Sequence, residues 1–90
     1  MRFDWDDDKA KLNFAKHGVS FQEAATVLGD TLGWTYPDSL HSVYEQRWII
    51  IGMSEQHRIL VVAYSEEKRA IRIISAREAT RKERRFYEEG

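Results

Sequence analysis

Three apolar runs in close succession constrain this chain more than any other feature. "YEQRWIIIGMS" (44–54), "RILVVAYS" (58–65) and "AIRIIS" (70–75) each have strand composition, and only "EQH" and "EEKR" separate them. Connections this short join neighbouring antiparallel strands and leave no room for a crossover. Most of a sheet is therefore committed in the second half of the chain.

The first half supplies helices. "FDW" (3–5) reads as a short strand. Asp6 is set to cap a helix over about 7–17, with Asp7 and Asp8 at its positive end and Gly18 as its C-cap. Ser20 and Glu23 make a capping-box pattern. Phe21, Ala24, Ala25 and Leu28 form the apolar face of a second helix, which Gly29 stops. "LGWTYPD" (32–38) is a strand ending at Pro37. Ser75 and Glu78 give a second capping-box pattern, which predicts a last helix over about 76–88. The order is β-α-α-β-β-β-β-α. It predicts an α+β fold with an antiparallel sheet and helices mainly on one face.

Ninety residues make one domain with a single modest core. There is no cysteine, hence no disulfide framework and no thiolate metal site. The run Asp6–Asp8 has no partner motif and reads as capping, so no metal site or cofactor is expected, and HExxH, EF-hand and P-loop patterns are absent. The first eight residues carry four aspartates, unlike a signal peptide, and "WIIIGM" is far too short to span a membrane. A cytoplasmic protein is the expectation. Fourteen Lys and Arg against fifteen Asp and Glu leave a net charge of −1, which argues against indiscriminate nucleic-acid binding.

Several charged residues stand where cations need a reason. On the strand 44–54, Glu45 and Arg47 share a face with Ile49 and Ile51. They form either a charge pair at the sheet margin or part of a site. Arg72 interrupts three isoleucines, so it is either paired to a carboxylate such as Glu45 or aimed at a ligand. Arg77 falls in the first turn of the predicted last helix, the positive end. Either Glu78 offsets it or an anion binds there with it. In that position its truncation is expected to change stability by only a few tenths of a kcal/mol. Arg77, Arg81 and Arg84 recur along one helix face, and Arg85 lies beside them. Lys9, Asn13 and Lys16 share a side of the first helix. His17 precedes the C-cap glycine, where the helix end favours a cation. His17, His41 and His57 are of the type that titrates nearest neutrality.

Taken together, "FDWDDDKAKLNFAKHGVSFQEA" (3–24), "HSVYEQRWIIIG" (41–52) and "IRIISAREATRKERRFY" (71–87) resemble the BrnT family, toxins of type II toxin–antitoxin systems with a RelE-like ribonuclease fold. The resemblance spans nearly the whole chain, and "KHGVSF" with "RIISAR" is its most specific part. It implies a single RelE-like toxin domain over 1–90 that cleaves RNA without a metal. It also implies a small ribbon-helix-helix antitoxin, through which alone DNA would be bound. The family's Lys-His before glycine falls on Lys16 and His17, its Glu-x-Arg on Glu45 and Arg47, and its Arg-x-x-Ser-Ala-Arg on Arg72, Ser75 and Arg77. The Glu-Arg and Tyr of its last helix fall on Glu83, Arg84 and Tyr87. On this basis Glu45 or His17 is the expected base, Arg47, Arg72 and Arg77 the phosphate clamps, and His17 or Tyr87 the acid. Lys9, Lys16, Arg81 and Arg84 are the expected RNA contacts. A non-catalytic binding module, or an inactive homologue acting with its antitoxin as co-repressor, is the alternative.

Overall fold

A computed structural model describes residues 2–42 and 45–90. In chain order the elements are β1 (Arg2–Asp4), α1 (Asp7–His17), α2 (Phe21–Val27), β2 (Trp34–Pro37), a 3-10 turn (Ser39–His41), β3 (Arg47–Met53), β4 (Ile59–Glu67), β5 (Ala70–Glu78) and α3 (Arg81–Glu89). Tyr44, where the predicted strand 44–54 begins, lies outside the described residues. Among those described, the strand starts at Arg47, and Glu45 sits in a bend before it.

The five strands are ordered β1-β5-β4-β3-β2. The hairpins β3–β4 and β4–β5 form as their short connections require, and β2 adds antiparallel to β3. The expectation of a wholly antiparallel sheet is wrong at one edge: β1 runs parallel to β5, pairing Arg2–Asp4 with Ala70–Arg72. Strands so far apart in sequence, with two helices and three strands between them, have a crossover long enough for parallel pairing.

The larger correction concerns the last helix. β5 does not stop at Ser75 but continues to Glu78, where Leu60, Val61 and Val62 pair with Glu78, Arg77 and Ala76. Ala76 is thereby buried in the core. The ladder satisfies backbone groups and buries apolar surface at once, which outweighs the local Ser75–Glu78 capping pattern. The box that forms is one turn later. Thr80 accepts from the Glu83 N–H, and the Thr80 N–H donates to Glu83 at 2.9 Å. Arg77 is thus a strand residue and opposes no helix dipole.

α1 and α2 cover one face of the sheet. Phe21, Ala24 and Val27 of α2 are fully buried against Ile50, Leu60, Val62 and Ile73. Burial of a side chain as large as Phe21 is worth about 3 kcal/mol, and Trp5 meets its ring edge-on at 6.1 Å. The Ser20–Glu23 box is half made. Ser20 accepts from the Glu23 N–H, but the Glu23 carboxylate turns inward to Ser54 and Arg58. α3 crosses the opposite face, where the Phe86 ring lies 5.0 Å from Trp34. The helices therefore occupy both faces, two against one. Among the described residues no helix is long and apolar enough to cross a membrane.

Candidate active site

The face bearing α3 is only partly covered. Successive cross-strand rows on it are Arg77–Val61–Ile51–Trp34, then Ser75–Ala63–Ile49–Tyr36, then Arg72–Ser65–Arg47. In the first row Val61 and Ile51 are buried. The second row floors an open cleft of about 420 Å³ lined by His17, Asp38, His41, Arg47, Ile49, Ala63, Ile74, Ser75 and Arg77.

Each polar side chain reaches this cleft for a local reason. β1 pairs only with Ala70–Arg72, so the outer edge of β5 beyond it is free. Asn13 occupies that edge. Its amide donates to the Ala76 carbonyl at 2.8 Å and accepts from the Ala76 N–H at 3.1 Å, and it also donates to Val19 at 3.0 Å. This clamps α1 beside β5 and brings its last residue, His17, to the cleft rim. Gly18 then ends the helix with φ +69°, a conformation that suits glycine. Asn13 is one of the few buried polar residues. The sequence puts it on one helix side with Lys9 and Lys16 and does not announce its burial.

Across the cleft, Pro37 ends β2 and Asp38 opens the 3-10 turn. Asp38 meets His41 Nδ1 at 3.1 Å and accepts at its carbonyl from Ser42. The Ser42 hydroxyl accepts from the Arg47 N–H at 3.1 Å, which fixes the start of β3. Arg47 Nε donates to Glu45 at 3.2 Å.

Arg77 projects onto the same face because of an irregularity in β5. Ala63 pairs with Ser75 and Tyr64 with Ile73, which leaves Ile74 without a partner. Both Ile74 and Ser75 line the cleft, and alternation resumes with Ala76 inward and Arg77 outward. Arg77 donates twice to Glu83, at 2.7 and 3.0 Å. This charge-assisted pair, helped by the Thr80 N–H, holds the Glu83 carboxyl at about 2 and raises Arg77 further. Tyr36 stands nearby; burial above all, with the Glu83 charge, raises its phenol.

The structure gathers His17, Arg47 and Arg77 of the expected residues. Glu45 does not line the cleft and touches it only through Arg47. Arg72 lies in register with Arg47 through Ser65, on the same face, but lines a separate cavity at the β1 edge. Tyr87 is elsewhere. Its hydroxyl donates to Asp30 at 2.5 Å, and that bond, then burial, pushes it up to about 12. Tyr87 thus ties α3 to the loop after α2, where Asp30 also accepts from Met53. Lys9, Lys16, Arg81 and Arg84 are exposed and line neither cavity. In the sequence Asp38 has no assigned role, His41 is marked only by residue type, and Ser75 only as a cap and within the family motif, yet all three line the cleft. The Asp-x-x-His spacing directly after Pro37 is the one signal that could have found the first two. Among the described residues no three His, Cys, Asp or Glu side chains converge as a metal site requires.

A family model described as the ribonuclease toxin BrnT of type II toxin–antitoxin systems matches residues 5–83. The crystal structure of the Brucella abortus ribonuclease toxin BrnT is similar, with a TM-score of 0.70 and 26% identity over 90% of this chain and 99% of that one. No curated protein matches significantly. The matched segment takes in His17, Arg47 and Arg77 alike, and the chain belongs to the BrnT family of ribonuclease toxins of type II toxin–antitoxin systems.

Proposed function

We propose that the cleft is the catalytic centre of a metal-independent endoribonuclease with a RelE-like fold. The observation that carries this reading is the joining of two histidines and two arginines on one open sheet face. One imidazole takes the proton of a ribose 2′-OH. The 2′-oxygen attacks the adjacent phosphorus, and the P–O5′ bond breaks. The other imidazole gives a proton to the departing 5′-oxygen, and a 2′,3′-cyclic phosphate remains. His17 and His41 fill these roles, each typically worth about 10²–10⁴-fold. Arg47 and Arg77 bind the non-bridging oxygens, whose charge grows in the transition state. Glu45 and Glu83 hold the two guanidiniums in place, leaving N–H groups for the phosphate. Arg72 extends the same row, and Lys9, Lys16, Arg81 and Arg84 give weaker contacts to flanking RNA.

Membership of the family implies an antitoxin and an RNA target. The antitoxin is a ribbon-helix-helix protein that closes the cleft in the cytoplasm. An apolar groove of about 630 Å³ between β2 and α3, containing Trp34, Ile51 and Phe86, adjoins the cleft and suits such a partner.

Purified protein incubated with naked RNA in EDTA tests the mechanism. Cleavage leaving 2′,3′-cyclic phosphate or 3′-phosphate ends is expected. Activity lost in EDTA and restored by magnesium would overturn it.

A further inference from the structure

A second cavity, of about 580 Å³, lies at the β1 edge of the sheet, between β1 and the β4–β5 hairpin. Four cations line it, Arg2, Lys68, Arg69 and Arg72, against two carboxylates, Asp4 and Glu67. This local excess occurs in a chain whose net charge is −1. The hairpin turns at Lys68, with φ +49°, and sets Arg69 beside β1, where the Arg69 carbonyl accepts from the Arg2 N–H.

These cations differ from the other arginines of the sheet. Arg47, Arg58 and Arg77 are each paired with a glutamate. Among the described residues, Arg2, Lys68, Arg69 and Arg72 have no ion-pair partner, although Asp4 and Glu67 share the cavity with them. Asp4 and Glu67 offset only part of the four positive charges, and an anion bound in the cavity would balance the excess. The cavity is also in line with the cleft. Asp4, Arg72, Ser65 and Arg47 form one cross-strand row, with Arg47 and Arg72 two strand spacings, about 10 Å, apart. A strand of RNA leaving the cleft along this row meets the cavity next. Among the described residues no aromatic side chain lines it, so none of them offers a platform on which to stack a base.

We propose that this cavity is a backbone-phosphate subsite for RNA flanking the scissile bond, which adds affinity without sequence preference. The proposal rests on the cleft being the RNA-cleaving centre. Arg2 and Arg69 take no part in that centre, so they are the residues to change.

The experiment measures binding of non-cleavable 2′-O-methyl oligoribonucleotides of about four and about twelve nucleotides to the wild-type protein and to R2Q/R69Q. Thermal melts of both proteins confirm folding, and R2K/R69K keeps the charge. The double glutamine variant is expected to bind the long oligomer several-fold more weakly, equally for different sequences, and the short one unchanged. Its log K against log salt slope should be shallower by about 0.7 for each phosphate that the variant no longer neutralises. R2K/R69K should restore most of the affinity. In cleavage of a long RNA, KM should rise while kcat holds. Unchanged binding of the long oligomer, or equal weakening on both, overturns the subsite and leaves the cleft reading intact. Wild-type protein that binds neither oligomer overturns both.

Discussion

Replacing Arg77 with alanine separates what that residue does for stability from what it does for RNA. The structural cost follows from Glu83. A carboxyl held at about 2 instead of 4.5 corresponds to at most about 3 kcal/mol, at 1.36 kcal/mol per pH unit. Part of that comes from Thr80 and survives the substitution, and Arg77 is 42% exposed. Solvent screening therefore leaves roughly 1–2 kcal/mol for the pair. In a chain of this size that lowers Tm by roughly 5–15 °C. The sign with pH is fixed. Glu83 is depressed in the folded state, so its contribution is full above about 4.5 and fades as pH falls toward about 2. The Tm difference between wild type and Arg77→Ala should shrink over that window. Glu83→Gln is the partner experiment, since it weakens the pair but keeps the guanidinium. Both variants should melt early, and by similar amounts. Cleavage of naked RNA, measured at a temperature where both are folded, should then divide them. Arg77→Ala should lose about 10²–10³-fold, the usual cost of removing a transition-state donor, and Glu83→Gln should retain most of its activity. Equal activity losses in the two variants would refute a ligand role and leave Arg77 only as the strut of α3.

Arg58→Ala should destabilise by about 2–3 kcal/mol, read by urea unfolding, because it strands the buried Glu23 carboxylate with Ser54 alone. That is below the usual range for a broken buried pair because Arg58 itself is partly exposed. The Arg58 hydrogen bond is the main reason Glu23 is depressed, so the deficit should narrow as pH falls below about 4.5. Asn13→Ala should cost about 2–4 kcal/mol, since Ala76 loses both backbone partners at the β5 edge. His17→Gln and His41→Gln should each lower kcat by about 10²–10⁴-fold with little change in Tm.

The hairpins, both helix caps of α1 and the burial of Phe21 and Ala24 on α2 are legible in the sequence because each rests on local chemistry, whereas Val27, fully buried, falls outside the face the pattern gives. Ser20 and Asp6 cap their helices where the pattern places them. What is not legible depends on contacts distant in sequence. Asn13 meets Ala76 from 63 residues away, and Glu23 meets Arg58 from 35. No periodicity announces either, and both residues sit in segments whose local meaning is already complete. Similarly, Ser75–Glu78 and Thr80–Glu83 are equally good capping boxes on paper. Only the ladder with β4 decides between them.

The β5 irregularity matters most for the site. Strict alternation from Ile71 and Ile73, which are buried, assigns Ser75 and Arg77 to the core face as well. Arg72 and Arg77 differ by five positions, an odd number, so an unbroken strand turns them to opposite faces. The extra residue at Ile74 changes that parity. It sends Ala76 into the core and turns Arg77 out on the side of Arg47 and Arg72. Bulges re-aim side chains in this way and are frequent beside active sites. The segment "RIISAR" can then present an arginine at each end to one surface while Ile73 and Ala76 hold the sheet to α1 and α2 and Ile74 lines the cleft. In an unbroken strand the two arginines could not share one surface, and the unpaired Ile74 allows it.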